Sequence, residues 1–365
     1  MERITTPLRL LAAVAVLGAT ALGASACGST RSSAAQTNVG GAVTTRPIAT
    51  VLPQADKEGV VHWYNAFTDD DIAAVTKAFN KQYPDIKVQS LRLDSQQIPS
   101  KVMTEQRAGT YNADVISSNS EYLNQLRLAG ALTSYDPPDL QKPPADLKLP
   151  AGFQSVTYVN TTVIAFNPKE VKKLGLKPPT TWSDLTAPAW KGHFSIDPES
   201  LNWYQSLIAS MGHDKALQLI TDLGNNSPVL VPNHTLAVTQ VQSGEQAATA
   251  TAYSHKVVEL AQDLPGSIEF LNSNPLPADL TLTDIAKNAP HPAAAQVFDD
   301  WLASKQGQDA LVDLTAKISL RTDADNDDRL WDPAKWKPSY ADPLIAPAEY
   351  NTELTEFNKA LHYGG

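Results

Sequence analysis

Val60-Val61-His62-Trp63-Tyr64-Asn65, then Thr68-Asp69-Asp70-Asp71 opening a run to Tyr83, then Ile86-Lys87-Val88-Gln89-Ser90-Leu91: this stretch spells strand, helix, strand. The first segment is a short β-branched and aromatic run. In the second, Ile72, Val75 and Phe79 recur at spacings of three and four, and Tyr83 continues that face. Thr68 stands where an N-cap belongs, and three aspartates complement the positive end of the helix dipole. Pro84 ends the helix, and the third segment alternates in the manner of a strand.

The pattern continues outward. Ile98 to Ala108 reads as helix with Gly109 as a stop, and Ala113 to Ser117 as strand. Strand Ser117 leads through the polar turn Ser118-Asn119-Ser120 to a helix from about Glu121 to Ala129. Ser155 to Phe166 is a long β-rich stretch. Helices are expected at Leu201 to Ala209, Lys215 to Leu223 and Leu236 to Gln242, with strands at Pro228 to Val231 and Ala247 to Tyr253. Ala293 to Ala303, Gln308 to Leu314 and a stretch near Glu353 to Leu361 read as further helices. The regular alternation predicts an α/β protein built on parallel, doubly wound sheet. With 365 residues, 42% of them hydrophobic, the chain is long enough for two lobes with separate cores.

The N-terminus reads as an export signal. Arg3 and Arg9 give a short cationic start, and Leu8 to Ala26, apolar almost throughout, is too short and too rich in Ala and Gly for a comfortable membrane span. It ends Ala24-Ser25-Ala26-Cys27, and this resembles a lipoprotein signal of residues 1–26 in which Cys27 becomes the lipidated first residue. Cys27 is the only cysteine, so disulfides cannot stabilise the fold. Residues 27–57 lack hydrophobic periodicity and are expected to form a flexible tether. The expected address is the outer face of the cytoplasmic membrane.

The net charge of −10, without a Lys/Arg cluster, argues against nucleic acid as a partner. No G-x-S-x-G elbow, P-loop, G-x-G-x-x-G or H-E-x-x-H occurs, so nothing specifies catalysis, and no cofactor or metal site is called for. The seven histidines are scattered. His255 and Glu259 share an i,i+4 spacing that reads as a solvated helix face, since a closed metal site needs more ligands than one pair supplies.

Several separated segments resemble one family, the bacterial extracellular solute-binding proteins of family 1, in the branch of ferric-iron, polyamine and phosphonate binders. They are Val61 to Asn65, Tyr111-Asn112-Ala113-Asp114-Val115, and Pro179-Thr180-Thr181-Trp182-Ser183-Asp184-Leu185 with Trp190-Lys191-Gly192. Val241 to Ala247, and Ala289-Pro290-His291-Pro292 through Ser304-Lys305-Gln306-Gly307-Gln308, complete the set. The resemblance runs from about Val60 to Arg321. It implies a two-lobe, type II periplasmic-binding-protein fold with ligand in the interlobe cleft. Lobe one would be 58–160 plus 277–345, lobe two 166–272, and 346–365 a C-terminal helix packing on the lobes. The strands Ser155 to Phe166 and Asn274 to Asp284 would be the crossings. The implied protein is a monomer that hands a small-molecule or ion ligand to an ABC permease.

In open α/β sheets, ligands sit beyond the carboxyl ends of strands. That rule selects Asn65, Thr68, Ser118, Asn119, Tyr158, Asn160, Asp197, Ser200, Trp203, Tyr204, Tyr253 and Ser254 as ligand-binding candidates. Tyr253 leads them, because it ends a strand and precedes a helix. Ser200, Glu199, Tyr158, Trp203 and Tyr204 serve equally well as caps or core residues. The resemblance implies two adjacent tyrosines in ferric-iron binders, and here those positions hold Tyr253 and Ser254. Polyamine would want carboxylates over aromatic faces, which Asp197, Glu199, Trp203 and Tyr204 would supply; phosphonate would need helix N-termini. An exported hydrolase or a sensor lipoprotein on the same scaffold remain the alternatives.

Overall fold

The computed structural model describes residues 46–332 and 334–364; the signal and Cys27 lie outside the described residues. Eleven strands form the frame: β1 (Val60–Asn65), β2 (Lys87–Arg92), β3 (Val115–Asn119), β4 (Leu132–Thr133), β5 (Val156–Phe166), β6 (Phe194–Ile196), β7 (Val229–Leu230), β8 (Ala248–Tyr253), β9 (Glu269–Leu271), β10 (Leu276–Ala286) and β11 (Pro338–Tyr340). Their order is β2-β1-β3-β10-β5-β8-β6-β7, with β4 and β11 on β10 and β9 on β5. The sequence pattern predicts a parallel sheet; the observed sheet is mixed, because the two long strands shared by the lobes run against most of their neighbours. β1, β2 and β3 run parallel, as do β6, β7 and β8; β5 is antiparallel to its neighbours, and β10 is antiparallel to β3, β4 and β5 but parallel to β11.

The two antiparallel strands join the lobes. β5 pairs with β10 as far as Thr161, and from Thr162 onward it pairs with β8 and β9. Both are buried along their whole length. Buried strands must satisfy the polar side chains they carry, and here hydroxyls do so in a chain: Trp63 Nε1 donates to Ser117 Oγ at 2.8 Å, Ser117 meets Thr283 at 2.6 Å, and Thr283 meets Thr157 at 2.6 Å. Each lobe packs helices on its sheet. Lobe one centres on Trp63, Phe67, Phe79, Phe298 and Trp301, lobe two on Trp182, Trp190, Phe194, Trp203 and Tyr204.

Local signals explain most helices. Thr68 Oγ1 accepts from Asp71 N at 3.2 Å and opens the helix Asp69–Gln82 as expected. Asn167, Asn233 and Ser304 cap Pro168–Lys173, His234–Ser243 and Lys305–Thr315 in the same way. The Trp182 segment is held by a capping box between Thr181 and Asp184.

The segment expected as tether ends in a helix, Ile48–Glu58, while its part up to residue 45 lies outside the described residues. Val51 and Ala55 are buried against the cluster that holds the helix Pro292–Ala303, and Glu58 Oε2 accepts from Ala294 N at 2.8 Å, 236 residues away. A Ser/Thr/Ala-rich stretch with Pro53 inside shows no such partner locally. The last helix, Pro347–Ala360, begins earlier than predicted, with Pro347 at its first position. It lies on lobe two so closely that a Cβ on Gly224 would meet Ala360 O at 2.1 Å. Residues before it touch both lobes: β11 pairs with β10, while Trp331 and Trp336 pack on the Val163–Leu276 cluster.

One cluster of His and Asp lies in lobe one. The donor atoms of His62, Asp114 and His291 fall within 4.8 Å of one another. Their hydrogen bonds are already spent on architecture. Asp114 accepts from His62 N at 2.7 Å, from His291 N at 2.7 Å and from His291 Nδ1 at 2.9 Å, and His62 Nδ1 faces Asn112 O at 3.0 Å. The carboxylate therefore clasps β1 to the start of the helix Pro292–Ala303.

Candidate functional site

A cleft of about 380 Å³ opens where the strand ends of both lobes face each other. Each wall is built the same way, from the carboxyl end of a parallel strand and the helix that follows. From lobe one, β1 leads to Thr68, and β3 leads to Asn119, Glu121 and Tyr122 at the start of the helix Ser120–Leu128. From lobe two, β6 leads to Asp197 and to Asn202 in the helix Leu201–Met211. β7 leads to His234, and β8 leads to Tyr253 and His255. Tyr158 and Asn160 on β5 form the floor, and Lys317 joins them after the helix Lys305–Thr315. A depression of about 780 Å³ adjoins the cleft and shares Thr68, Arg92, Lys256 and Lys317 with it.

Six of the twelve candidates line this cleft: Thr68, Asn119, Tyr158, Asn160, Asp197 and Tyr253. Ser95 donates to Asn119 Oδ1 at 3.0 Å. Asn160 Nδ2 donates to Asp279 Oδ1 at 3.0 Å. Asp197 Oδ1 accepts from Glu199 N at 2.8 Å, which shapes its own loop. Tyr253 is the middle of a three-ring stack, with its centroid 4.0 Å from His234 and 5.7 Å from His255, and its hydroxyl accepts from Asn202 Nδ2 at 3.3 Å.

The other six lie elsewhere. Asn65 turns inward, donating to Ser90 Oγ at 2.7 Å and accepting from Phe67 N at 3.1 Å, so it shapes the loop rather than lining it. Ser118 is buried between β1 and β10, and Ser254 is buried against Thr161 at 2.5 Å. Ser200 is buried 3.4 Å from His234 Nε2. Trp203 and Tyr204 are 1% and 0% exposed, in the lobe-two core, where Trp203 meets Trp182 at 5.9 Å and Tyr204 stacks on Phe357 at 5.6 Å. A helix after a strand end presents only its first turn to the cleft; on Leu201–Met211 that is Asn202, and the next two residues turn to the core.

Three residues of the cleft escaped the sequence reading for identifiable reasons. Glu121 passes for an ordinary first-turn acid. His255 passes for a solvated helix face beside Glu259, yet its Nε2 accepts from Lys317 Nζ at 2.9 Å. Lys317 follows the helix-ending Ala316, with φ 50°, and nothing local marks it.

Burial sets the electrostatics. It pushes the Glu121 carboxyl up to about 8, with the nearby Asp279 charge adding to the effect. Burial likewise pushes Asp279 up to about 6 against the opposing bond from Asn160. The Tyr253 phenol is held well above 10 by burial and then by Asp279. Burial, then the charge of Lys317, keeps His255 well below its usual range. Lys317 itself is lowered by burial, partly restored by Asp71 at 3.4 Å, and its Nζ lies 5.0 Å over the Tyr158 ring. A neutral His255 accepting from the Lys317 ammonium thus links lobe two to lobe one.

Residues 74–339 match the family model described as bacterial extracellular solute-binding protein. The chain belongs to that family. It is therefore an exported protein of a class that binds solutes rather than transforming them. It is 25% identical over 309 residues, 79% of this chain and 86% of the other, to an uncharacterised protein of Haemophilus influenzae. Among solved structures, the periplasmic binding protein AfuA of Actinobacillus pleuropneumoniae, with fructose-6-phosphate bound, superposes with a TM-score of 0.73 at 22% identity, covering 84% of this chain and 99% of that one. Iron-bound HitA of Pseudomonas aeruginosa does so with a TM-score of 0.71 at 23% identity, over 82% and 99%. The fold of this solute-binding protein is accordingly the two-lobe, type II periplasmic-binding-protein fold.

Within this solute-binding protein, Tyr253 has the position to report on ligand. Tyr253→Ala removes the centre of the ring stack at the cleft while leaving both cores intact. Solute affinity should fall at least about tenfold, or ~1.4 kcal/mol, with the melting temperature nearly unchanged. Titration calorimetry on both proteins checks this, and equal affinities would remove Tyr253 from the site.

Proposed function

We propose that this chain is the capture component of an ABC importer. Cys27 carries the lipid that holds it at the outer face of the cytoplasmic membrane. The two lobes close as a monomer around a small polar or charged solute, which then passes to a membrane permease. The cleft itself carries this reading: strand ends of both lobes supply acids, amides and rings to one space. Only a ligand touching both walls has the differential affinity that favours the closed state.

The ligand alternatives differ in their fit. Iron-bound HitA and fructose-6-phosphate-bound AfuA show that related folds take very different cargo. For iron, the second tyrosine position is Ser254, which is turned to Thr161, and ionising Tyr253 runs against its burial. For polyamine, the proposed aromatic partners Trp203 and Tyr204 belong to the core. For phosphonate, Lys317 is already engaged by Asp71 and His255.

The hydrolase alternative has one apparent constellation, Ser200, His234 and Asp197. Its geometry does not suit acyl transfer. Ser200 Oγ at 3.4 Å and Asp197 Oδ2 at 3.5 Å both face His234 Nε2, while Nδ1 faces the Thr251 carbonyl at 2.9 Å. A relay needs the serine and the acid on opposite ring nitrogens. This supports binding without catalysis. The sensor alternative differs only in its membrane partner.

A thermal-shift screen of the full-length protein tests the reading. Ferric citrate, amines, phosphonates, sugar phosphates, amino acids and sugars are the probes. One class at about 100 times its Kd should stabilise the protein by about 2.7 kcal/mol. A cooperatively folded sample that no probe shifts would contradict capture of a small solute.

A further inference from the structure

Two acids in the cleft have no counter-ion. Glu121 lines it at 7% exposure, and Asp279 stands behind the lining Asn160 at 2% exposure. The cations nearby are committed elsewhere: Lys317 to Asp71 at 3.4 Å, Arg92 to Asp69 at 4.0 Å, and Lys256 to Glu259 at 2.5 Å. Among the described residues, neither Glu121 nor Asp279 takes part in an ion pair. Buried carboxylates without a partner are costly, so a fold keeps them only where something arrives to compensate them or where they stay protonated.

We propose that Glu121, with Asp279 behind Asn160, is the recognition point for a protonated nitrogen of the solute, a primary ammonium or a guanidinium. This rests on the capture reading above and names its substrate class. Rings complete the pocket. Tyr122 and Tyr350 meet hydroxyl to hydroxyl at 3.0 Å beside Glu121, and Tyr253 presents the stack opposite. A cation docked between an acid and aromatic faces gains from both.

Capture then exchanges protons. At neutral pH the free carboxyl of Glu121 holds its proton, raised by burial and by Asp279. When the cation arrives, the O–H bond breaks, the proton leaves to solvent, and the carboxylate pairs with the ligand nitrogen. The titratable groups facing Glu121 are Asp279, Tyr122, Tyr253, Tyr350, Glu199 and His234. Of these, Asp279 reinforces the same sign, and the tyrosines, all raised by burial, stay neutral throughout.

Titration calorimetry on the full-length protein, with ethanolamine, putrescine and agmatine against glucose 6-phosphate, glucose and ferric citrate, tests the assignment. One of the amines should bind, with affinity rising up to about tenfold per pH unit between pH 6 and 8, as loss of one proton requires. Glu121→Gln should weaken that binding at least tenfold while the unliganded protein melts no lower than the original. Asp279→Asn, one step removed, should weaken it less. An amine held equally well by Glu121→Gln would overturn the proposal. So would binding of only a sugar phosphate, sugar or iron, which would leave solute capture standing with a different cargo. A folded protein that binds none of the six would remove both readings.

Discussion

Melted without ligand, the protein should be most stable near pH 5 and lose stability steadily toward pH 8. Five buried carboxyls drive this. Burial raises Glu121 to about 8, Asp300 to about 7 and Asp279 to about 6, and it holds Asp284 and Asp299 well above the usual carboxylate range. An unfolded chain would release these protons at ordinary pH, near 4. Between that value and the raised one, the folded state holds more protons than the unfolded state, so stability falls as pH rises. Each group's contribution is full below about pH 4 and gone above its folded value. At about 1.4 kcal/mol per pKa unit, Glu121 alone amounts to a few kcal/mol.

Opposing groups set the acid limit. Asp184, Asp323, Asp327 and Asp332 are held low by hydrogen bonds or cationic partners, and their stabilisation is lost as pH falls below about 4. His255, pulled down by burial, contributes stability that grows as pH rises toward the ordinary histidine value. One histidine against five acids does not reverse the slope. Calorimetric melting from pH 4 to 8.5 reads it directly, and Glu121→Gln should flatten it. Stability that climbs continuously to pH 8 would refute the account.

Trp203→Ala should cost about 3–5 kcal/mol of folding stability, a large part of the 5–15 kcal/mol typical of a domain. The indole lies between Trp182 at 5.9 Å and Phe357 at 6.4 Å, so truncation leaves a cavity that joins lobe two to the C-terminal helix. Urea denaturation gives the size of the loss. Solute affinity of the molecules still folded should be nearly unchanged. Tyr253→Ala has the opposite signature, weak binding in a stable protein. A stable Trp203→Ala protein that fails to bind would return Trp203 to the cleft.

The contrast between those two aromatics shows how far local patterns reach. Both are polar-tipped rings near a strand end. Tyr253 is the last residue of β8 and must stand at the sheet's carboxyl edge. Trp203 is the third residue of a helix, and its direction depends on how that helix rolls against Phe357, which is 154 positions away in the chain. The Asp114 clasp follows the same logic: its residues were visible as motif fragments, but not their meeting.

Strand and helix assignments needed only periodicity, caps and stop residues, because each depends on neighbours within a few positions. Thr68, Asn119 and Tyr253 were therefore legible as strand-end positions that line the cleft, and the ordered motifs carried the family. The buried charged residues of the cleft were not legible. Glu121 looks like any first-turn acid until burial removes its water, and Lys317 and His255, 62 positions apart, become partners only in the tertiary fold. Desolvation and long-range pairing have no local signature, so the sequence by itself determined the frame and the capture class, and tertiary structure alone decided the chemistry of the cleft.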